Sequence, residues 1–257
     1  MVDMKADSAN PHTRKIFAIL LAIIITTGVV IAAAFGTDPK PASGPDSTAA
    51  HDGNHNNKPD TVIAPYGTEG YALVFGDASR EDQVTVEVYE DLQCPYCRDL
   101  SRFTSEPFAT FLQQGDLVLK VYPVAFLDEA STTRYSTRAA NAVAAVYDVA
   151  GPIAAYQYLG ILYQNQPAEG TNGLTDQKLL EYAASVGSDP EETEQRMRDR
   201  VFVDWVTEGS EKAFNEGIEG TPTVFVDGEN ISDPYTELPP VFDRFTVNPG
   251  NTPSPSP

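Results

Sequence analysis

From Ile16 to Phe35 the chain reads "IFAILLAIIITTGVVIAAAF", apolar except for Thr26, Thr27 and Gly28. At about 1.5 Å of rise per residue, a helix of this length reaches roughly 30 Å, the thickness of a bilayer's hydrocarbon core. Arg14 and Lys15 precede the run and Thr37 and Asp38 follow it, so residues 1–15 are expected inside and everything after Gly36 outside. A cleaved signal peptide ending near Ala32–Ala34 is the alternative, although its apolar region would ordinarily be shorter. Either way the rest of the chain is exported. Residues 36–60, rich in Pro, Gly, Asn, Asp and Ser, read as a flexible linker, and 248–257 as a disordered tail.

The intervening unit, about 61–247, alternates between two periods. "VTVEVYE" (84–90) places Val84, Val86 and Val88 on one side of a strand. Leu100, Phe103, Phe108, Phe111 and Leu112 then recur at near-helical spacing, with Pro107 a predicted kink. "LVLKVYPV" (117–124) returns to alternation, giving a strand–helix–strand unit whose strands should be parallel.

A long helical region follows. Ala139, Ala140, Val143, Val146, Tyr147 and Ala150 form one stripe, Tyr158, Leu159, Leu162 and Tyr163 a second, and Leu179, Tyr182, Ala183 and Val186 a third. A fourth helix starts at "DPEE", with Asp189 as cap, Pro190 in the first turn and Glu192 in a capping-box position, and carries Met197, Val201 and Trp205. Thr223–Val226 is a β-rich run opened by Pro222, and Asp227-Gly228 predicts a tight turn before Ile231. "PPVFDRF" supports no more than a short closing helix.

Composition narrows the function. A hydrophobic content of 41% is enough to bury a core, and a formal charge of −20 excludes nucleic acid as a natural partner. The three histidines, His12, His51 and His55, all precede the folded unit. Asp52, Asn54, Asn56 and Asp60 imitate a calcium loop, but Asn57 and Ile63 replace its glycine and its closing glutamate, so the run reads as linker and no metal is assigned.

The chain's two cysteines, Cys94 and Cys97, stand where the first strand hands over to the helix, in "EDLQCPYCRDL". Two thiols alone make neither a zinc site nor a disulfide scaffold. A bridge closing so short a loop restrains the unfolded chain little, so a redox pair is favoured over an inert structural disulfide. A cysteine at a helix N-terminus faces unpaired N–H groups that stabilise a thiolate, the nucleophilic form. Cys94 should therefore be exposed and attack or be attacked, with Cys97 buried one turn in to resolve. Pro95 of the Pro95-Tyr96 dipeptide fits the first turn. Glu90, Asp91 and Asp99 oppose a thiolate and Arg98 relieves it.

"VEVYEDLQCPYC", with "GIEGTPTVFVDG" about 125 residues later, resembles the thioredoxin-fold thiol–disulfide oxidoreductases, in particular the exported DsbA-like group. The resemblance implies an α/β thioredoxin fold with a helical domain inserted at about 128–200, preceded here by a single transmembrane helix. It implies a cis-proline at Pro222 packed against the cysteines, with Thr221 pairing with the substrate chain. Two departures stand out: Tyr96 replaces the histidine of strongly oxidising members, and Val88 occupies the position of their buried acid. Glu87 or Glu90 is a substitute proton relay, although a surface position for both is the plainer expectation.

The expected protein is a single-pass cell-membrane dithiol oxidase with its catalytic domain outside the cytoplasm, needing no cofactor. Its expected partners are unfolded exported proteins with free thiols and a quinone-linked membrane enzyme that re-oxidises it. With no evident dimerisation domain, a monomer is expected. A reductase or isomerase of the same fold, or a tethered peptide-binding or chaperone module without redox function, are the alternatives.

Overall fold

A computed structural model describes residues 62–80 and 83–246. The predicted cytoplasmic segment, membrane span, linker, calcium-like run and tail lie outside them. Among the described residues no helix is long and apolar enough to cross a membrane.

Five strands form one mixed sheet. In chain order they are β1 (Leu73–Phe75), β2 (Val84–Glu90), β3 (Leu117–Pro123), β4 (Thr223–Val226) and β5 (Glu229–Ile231), arranged β1-β3-β2-β4-β5. β2 is central, parallel to β3 and antiparallel to β4. The register sets Val86 between Leu119 and Val226, and Val88 between Val121 and Val224. Branched side chains stacked in this way suit a pleated buried face, and each contributes on the order of 1.5–3 kcal/mol by leaving water.

α1 (Pro95–Gln114) connects β2 to β3, as the strand–helix–strand pattern requires. It stops at Gly115, whose φ of 76° is the left-handed conformation that returns the chain toward β3. α2 (Tyr135–Gln164) is a long helical run interrupted at Gly151, where φ is 82° and ψ 179°, just before Pro152. The two apolar stripes read from the sequence are its two halves. Every residue from Ala139 to Tyr147 is buried, so this stretch of the helix has no polar face.

α3 (Asp176–Ser185) is capped by the Thr175 hydroxyl, which accepts from Lys178 N. α4 (Pro190–Arg198) is capped by Asp189, which accepts from Glu192 N at 2.9 Å. The fourth predicted helix is two helices: Arg200 adopts a φ of 55°, and Trp205 belongs to α5 (Val203–Asn215). The helical layer therefore extends beyond the expected limit near 200. Trp205 is 1% exposed and donates through Nε1 to Gly70 O, tying this layer to the segment before β1.

Two elements differ from expectation. The sheet gains β1, a three-residue strand antiparallel to β3 that is too short to show a period. The closing helix, α6 (Pro234–Thr246), runs for 13 residues despite Pro239 and Pro240, because Phe242 and Phe245 pack on Phe108 and Phe111 of α1. The sheet's other face carries Tyr89 stacked on Tyr122 at 4.2 Å, with Phe225 and Ile218 alongside.

Candidate active site

β2 ends at Glu90, and the next three residues turn the chain into α1. Asp91, wholly buried, fixes that turn. Its Oδ1 accepts from Gln93 N (2.8 Å) and Ser136 Oγ (2.6 Å), its Oδ2 from Leu127 N (2.9 Å), and its carbonyl from Cys94 N (2.9 Å). The bond to the N–H two residues on is an Asx-turn, so Asp91 shapes the turn as well as opposing a thiolate. Burial pushes Asp91 up to about 6, against the bonds from Ser136, Gln93 and Leu127. Gln166, just past α2, donates to Leu92 O (3.1 Å) and Cys94 O (2.9 Å). No local signal marks it.

Cys94 is the N-cap of α1, in extended conformation, and Pro95 opens the helix. Its thiol is lowered to about 6, chiefly because the Cys97 thiol donates to it; burial opposes this, and the Thr221 side chain and the backbone N–H groups of Cys97 and Tyr96 assist. Arg98 has no part in this. Its Nε bonds Asp99 at 3.1 Å, so the expected relief from that guanidinium is replaced by neutral donors. Cys97, one turn inside, is raised well above the ordinary thiol value by burial first and then by Cys94 and Glu90.

The expectation of an open Cys94 is corrected: it is 5% exposed, against 1% for Cys97 and 72% for Tyr96 between them. What shields it is the loop before β4. The Thr221–Pro222 peptide bond is cis, and Cys94 Sγ donates to Thr221 O at 3.3 Å. Residues 127 positions apart thus meet because β4 lies beside β2.

Strand phase separates the two relay candidates. Glu90 shares the phase of Val84, Val86 and Val88, faces α1 and is 8% exposed, which corrects the expectation of a surface position. Burial raises its carboxyl to about 8, opposed by the Tyr163 hydroxyl and reinforced by Asp91 and Cys94. Glu87 lies on the opposite face and accepts from Tyr122 Oη at 3.1 Å, so a relay role for it is withdrawn. Among the described residues no His, Cys, Asp and Glu cluster is placed to hold a metal.

A β-α-β core with two thiols at the helix N-terminus and a cis-proline beside them defines a DsbA-like thioredoxin-fold protein. A thioredoxin family model matches residues 70–238, and the chain belongs to that family. Its fold is similar to that of the reduced disulfide bond oxidoreductase DsbG of Mycobacterium tuberculosis (24% identity, TM-score 0.61, 70% of this chain and 89% of that one). MdbA, a thiol-disulfide oxidoreductase from Corynebacterium diphtheriae, is 25% identical, with a TM-score of 0.56 over 65% of this chain and 86% of that one. Oxidised BdbD of Bacillus subtilis is 22% identical, with a TM-score of 0.58 over 71% and 97%. No curated protein matches the sequence.

Proposed function

We propose that this thiol–disulfide oxidoreductase works as a dithiol oxidase on exported proteins, tethered outside the cytoplasm by residues 16–35. A substrate thiolate attacks Cys94 Sγ of the Cys94–Cys97 disulfide; that bond breaks, and Cys97 leaves and takes a proton. The substrate's second thiolate then attacks the substrate sulfur of the mixed disulfide and expels Cys94 as a thiolate. The substrate has lost two electrons and two protons, and a quinone-linked membrane partner returns the protein to the disulfide. Thr221, beside Pro222, pairs through its backbone with the substrate chain, and Glu90 is the proton donor and acceptor for Cys97.

The observation that carries this reading is the surroundings of Cys94 Sγ, where the Cys97 thiol, the Thr221 side chain and helix-turn N–H groups stabilise the thiolate without a charged side chain. Stabilising the leaving thiolate stabilises the reduced protein, and for a two-electron couple each tenfold gain is about 30 mV of oxidising power.

Two measurements on the exported domain test it. Equilibration with glutathione buffers should give a potential well above thioredoxin's, about −270 mV; a value near thioredoxin's makes the protein a reductase. Cys97→Ala, with Cys94 first converted to its mixed disulfide with thionitrobenzoate, should pass that sulfur bond to reduced, unfolded exported proteins, accumulating protein mixed disulfides as thionitrobenzoate leaves. Failure to trap any removes the redox reading in favour of a binding module.

A further inference from the structure

On the β3 side of the dithiol turn, two hollows of about 570 and 330 Å³ lie side by side, sharing Phe126, Ser210 and Glu211. One wall is the segment that follows β3, through the single turn Asp128–Ala130; the other is α5. The first wall is tied to the active-site turn at three points. Val124 N donates to Glu90 O (2.9 Å), Leu127 N to Asp91 Oδ2 (2.9 Å), and Gln93 Nε2 to Leu127 O (3.0 Å). Ala125 N donates to Ser210 Oγ at 2.9 Å, which joins the two walls. Phe126 packs against the cluster of Val124, Ala213 and Ile218, and Ile218 stands three residues before Thr221. The groove therefore adjoins the loop that covers Cys94 and continues along α5 to Phe214. Its chemistry is one-sided. Phe214 is 60% exposed and Phe126 half-buried. Of the groove's acids, Asp128 is already occupied, accepting from Arg134 Nε at 3.1 Å and from Thr137 N at 2.9 Å. Arg134 is the one cation lining the groove, and it is held in that pair. Glu129 and Glu211 are exposed, and among the described residues neither meets a cation or a hydrogen-bond donor.

We infer that this groove is a substrate subsite, which takes the stretch of an exported protein next to the reacting cysteine and selects one that carries Lys or Arg with an apolar neighbour. Two carboxylates without a counter-ion flank two phenyl rings that the fold leaves partly in water. A Lys or Arg side chain matches both at once, since its methylene stem covers an aromatic face while its cation reaches a carboxylate. The subsite rests on the oxidase reading, in which Thr221 holds the substrate chain. An extended chain advances about 3.3 Å per residue, so the segment a few residues from the cysteine is the one the groove receives. The net charge of −20 also draws cationic segments toward the protein, but it does not distinguish one face from another. Glu129 and Glu211 do, because they act at contact and beside the sulfur that is attacked.

The test uses the full chain in neutral detergent, in its disulfide form, with two peptides that share one cysteine and one phenylalanine and differ in carrying two lysines or two glutamates beside them. The rate at which each peptide opens the disulfide is divided by its rate with neutral 2-hydroxyethyl disulfide, which removes differences in the peptides' own thiol reactivity. At low salt the lysine peptide should be faster by about tenfold or more, and about 0.5 M NaCl should remove most of that preference. Glu129→Lys and Glu211→Lys should each lower the preference about threefold or more, the scale on which exposed ion pairs act. Glu229→Lys changes the net charge equally but lies across from Val226, near the start of β2 and so at the end of the sheet away from Cys94; it should leave the preference unchanged. Phe214→Ala, at an exposed helix position, should slow the lysine peptide about threefold, and should not slow a version with glycine in place of the phenylalanine. A preference that Glu229→Lys lowers as much as the groove variants do comes from net charge alone and overturns the proposal. Equal rates for the two peptides, with the disulfide still opening, overturn it as well and leave the oxidase reading intact. Peptides with serine in place of cysteine separate the two readings in the other direction. If neither cysteine peptide opens the disulfide, but the lysine–serine peptide binds more tightly than its glutamate counterpart and Glu211→Lys abolishes the difference, the oxidase reading falls and the groove stands. Equal or absent binding in that case sinks both.

Discussion

Glu90 places a carboxyl group among Val86, Val88 and Cys97, and its pKa of about 8 lies above the ordinary 4.5 because burial penalises the charge. A raised carboxyl pKa means that the fold prefers the protonated form. The associated stability is complete below the unfolded value, declines as pH rises from about 4.5 to about 8, and is constant above. Glu90→Gln keeps a neutral polar group there at every pH. In the dithiol protein it should leave stability near pH 4.5 almost unchanged and raise it at pH 8, by a few kcal/mol at most. Urea titrations at the two pH values measure this, and equal stabilities at pH 8 would mean that the carboxyl is not buried as described. The same variant should be slower in thiol exchange, since it removes the proton donor of Cys97. The position was legible: the period that buries Val84, Val86 and Val88 also buries Glu90, and only its polarity argued for the surface. Cys94 and Cys97 were legible from their own spacing at a strand-to-helix junction, whereas Thr221 and Pro222, 127 and more residues away, were reached only through the family resemblance. Tyr163 and Gln166 were not legible, since each acts on a group more than 70 residues away in sequence.

At the scale of elements, those with a clean period were readable and those held by tertiary packing were not. β2, α1, β3 and the β4 hairpin repeat every two or about three and a half residues, and Asp227 and Gly228 both take the positive φ that a two-residue hairpin turn demands. β1 is three residues long, and α6 contains two prolines that its aromatic contact with α1 outweighs. The break near Arg200 leaves no mark in the pattern, because Met197, Val201 and Trp205 keep helical spacing across it. The helical layer is also coupled to the dithiol. Ser136, in the first turn of α2, bonds Asp91, and Gln166, after its last turn, holds Leu92 O and Cys94 O. One helical run thus clamps the active-site turn from both ends. Gln166→Ala removes two hydrogen bonds from half-buried carbonyls, and at about 0.5–1.5 kcal/mol each it should cost roughly 1–3 kcal/mol in urea unfolding. Loss of under about 0.3 kcal/mol would show that water replaces the amide fully.

For the molecule as a whole, the redox state of two sulfur atoms should govern stability in a direction opposite to most disulfides. A bridge over four residues restrains the unfolded chain little, so the disulfide form gains little from it. The dithiol form gains from a folded Cys94 thiol of about 6, well below the ordinary value of 9.0, because neutral donors around Sγ exist only in the folded protein. A depressed folded pKa contributes stability that is complete above the unfolded value and is lost as pH falls through the folded one. Cys97, raised rather than lowered, favours its thiol form throughout this window and adds nothing until pH approaches its unfolded value. The dithiol protein should therefore melt above the disulfide protein at pH 8, the gap should narrow as pH falls to 6, and little should remain at pH 5. Circular-dichroism melts of both forms across that range measure the gap. The same free energy drives the chemistry, because whatever stabilises the folded dithiol over the folded disulfide is available to oxidise a substrate. A disulfide form that is the more stable at every pH would leave the pair without that driving force and would make it a reductant.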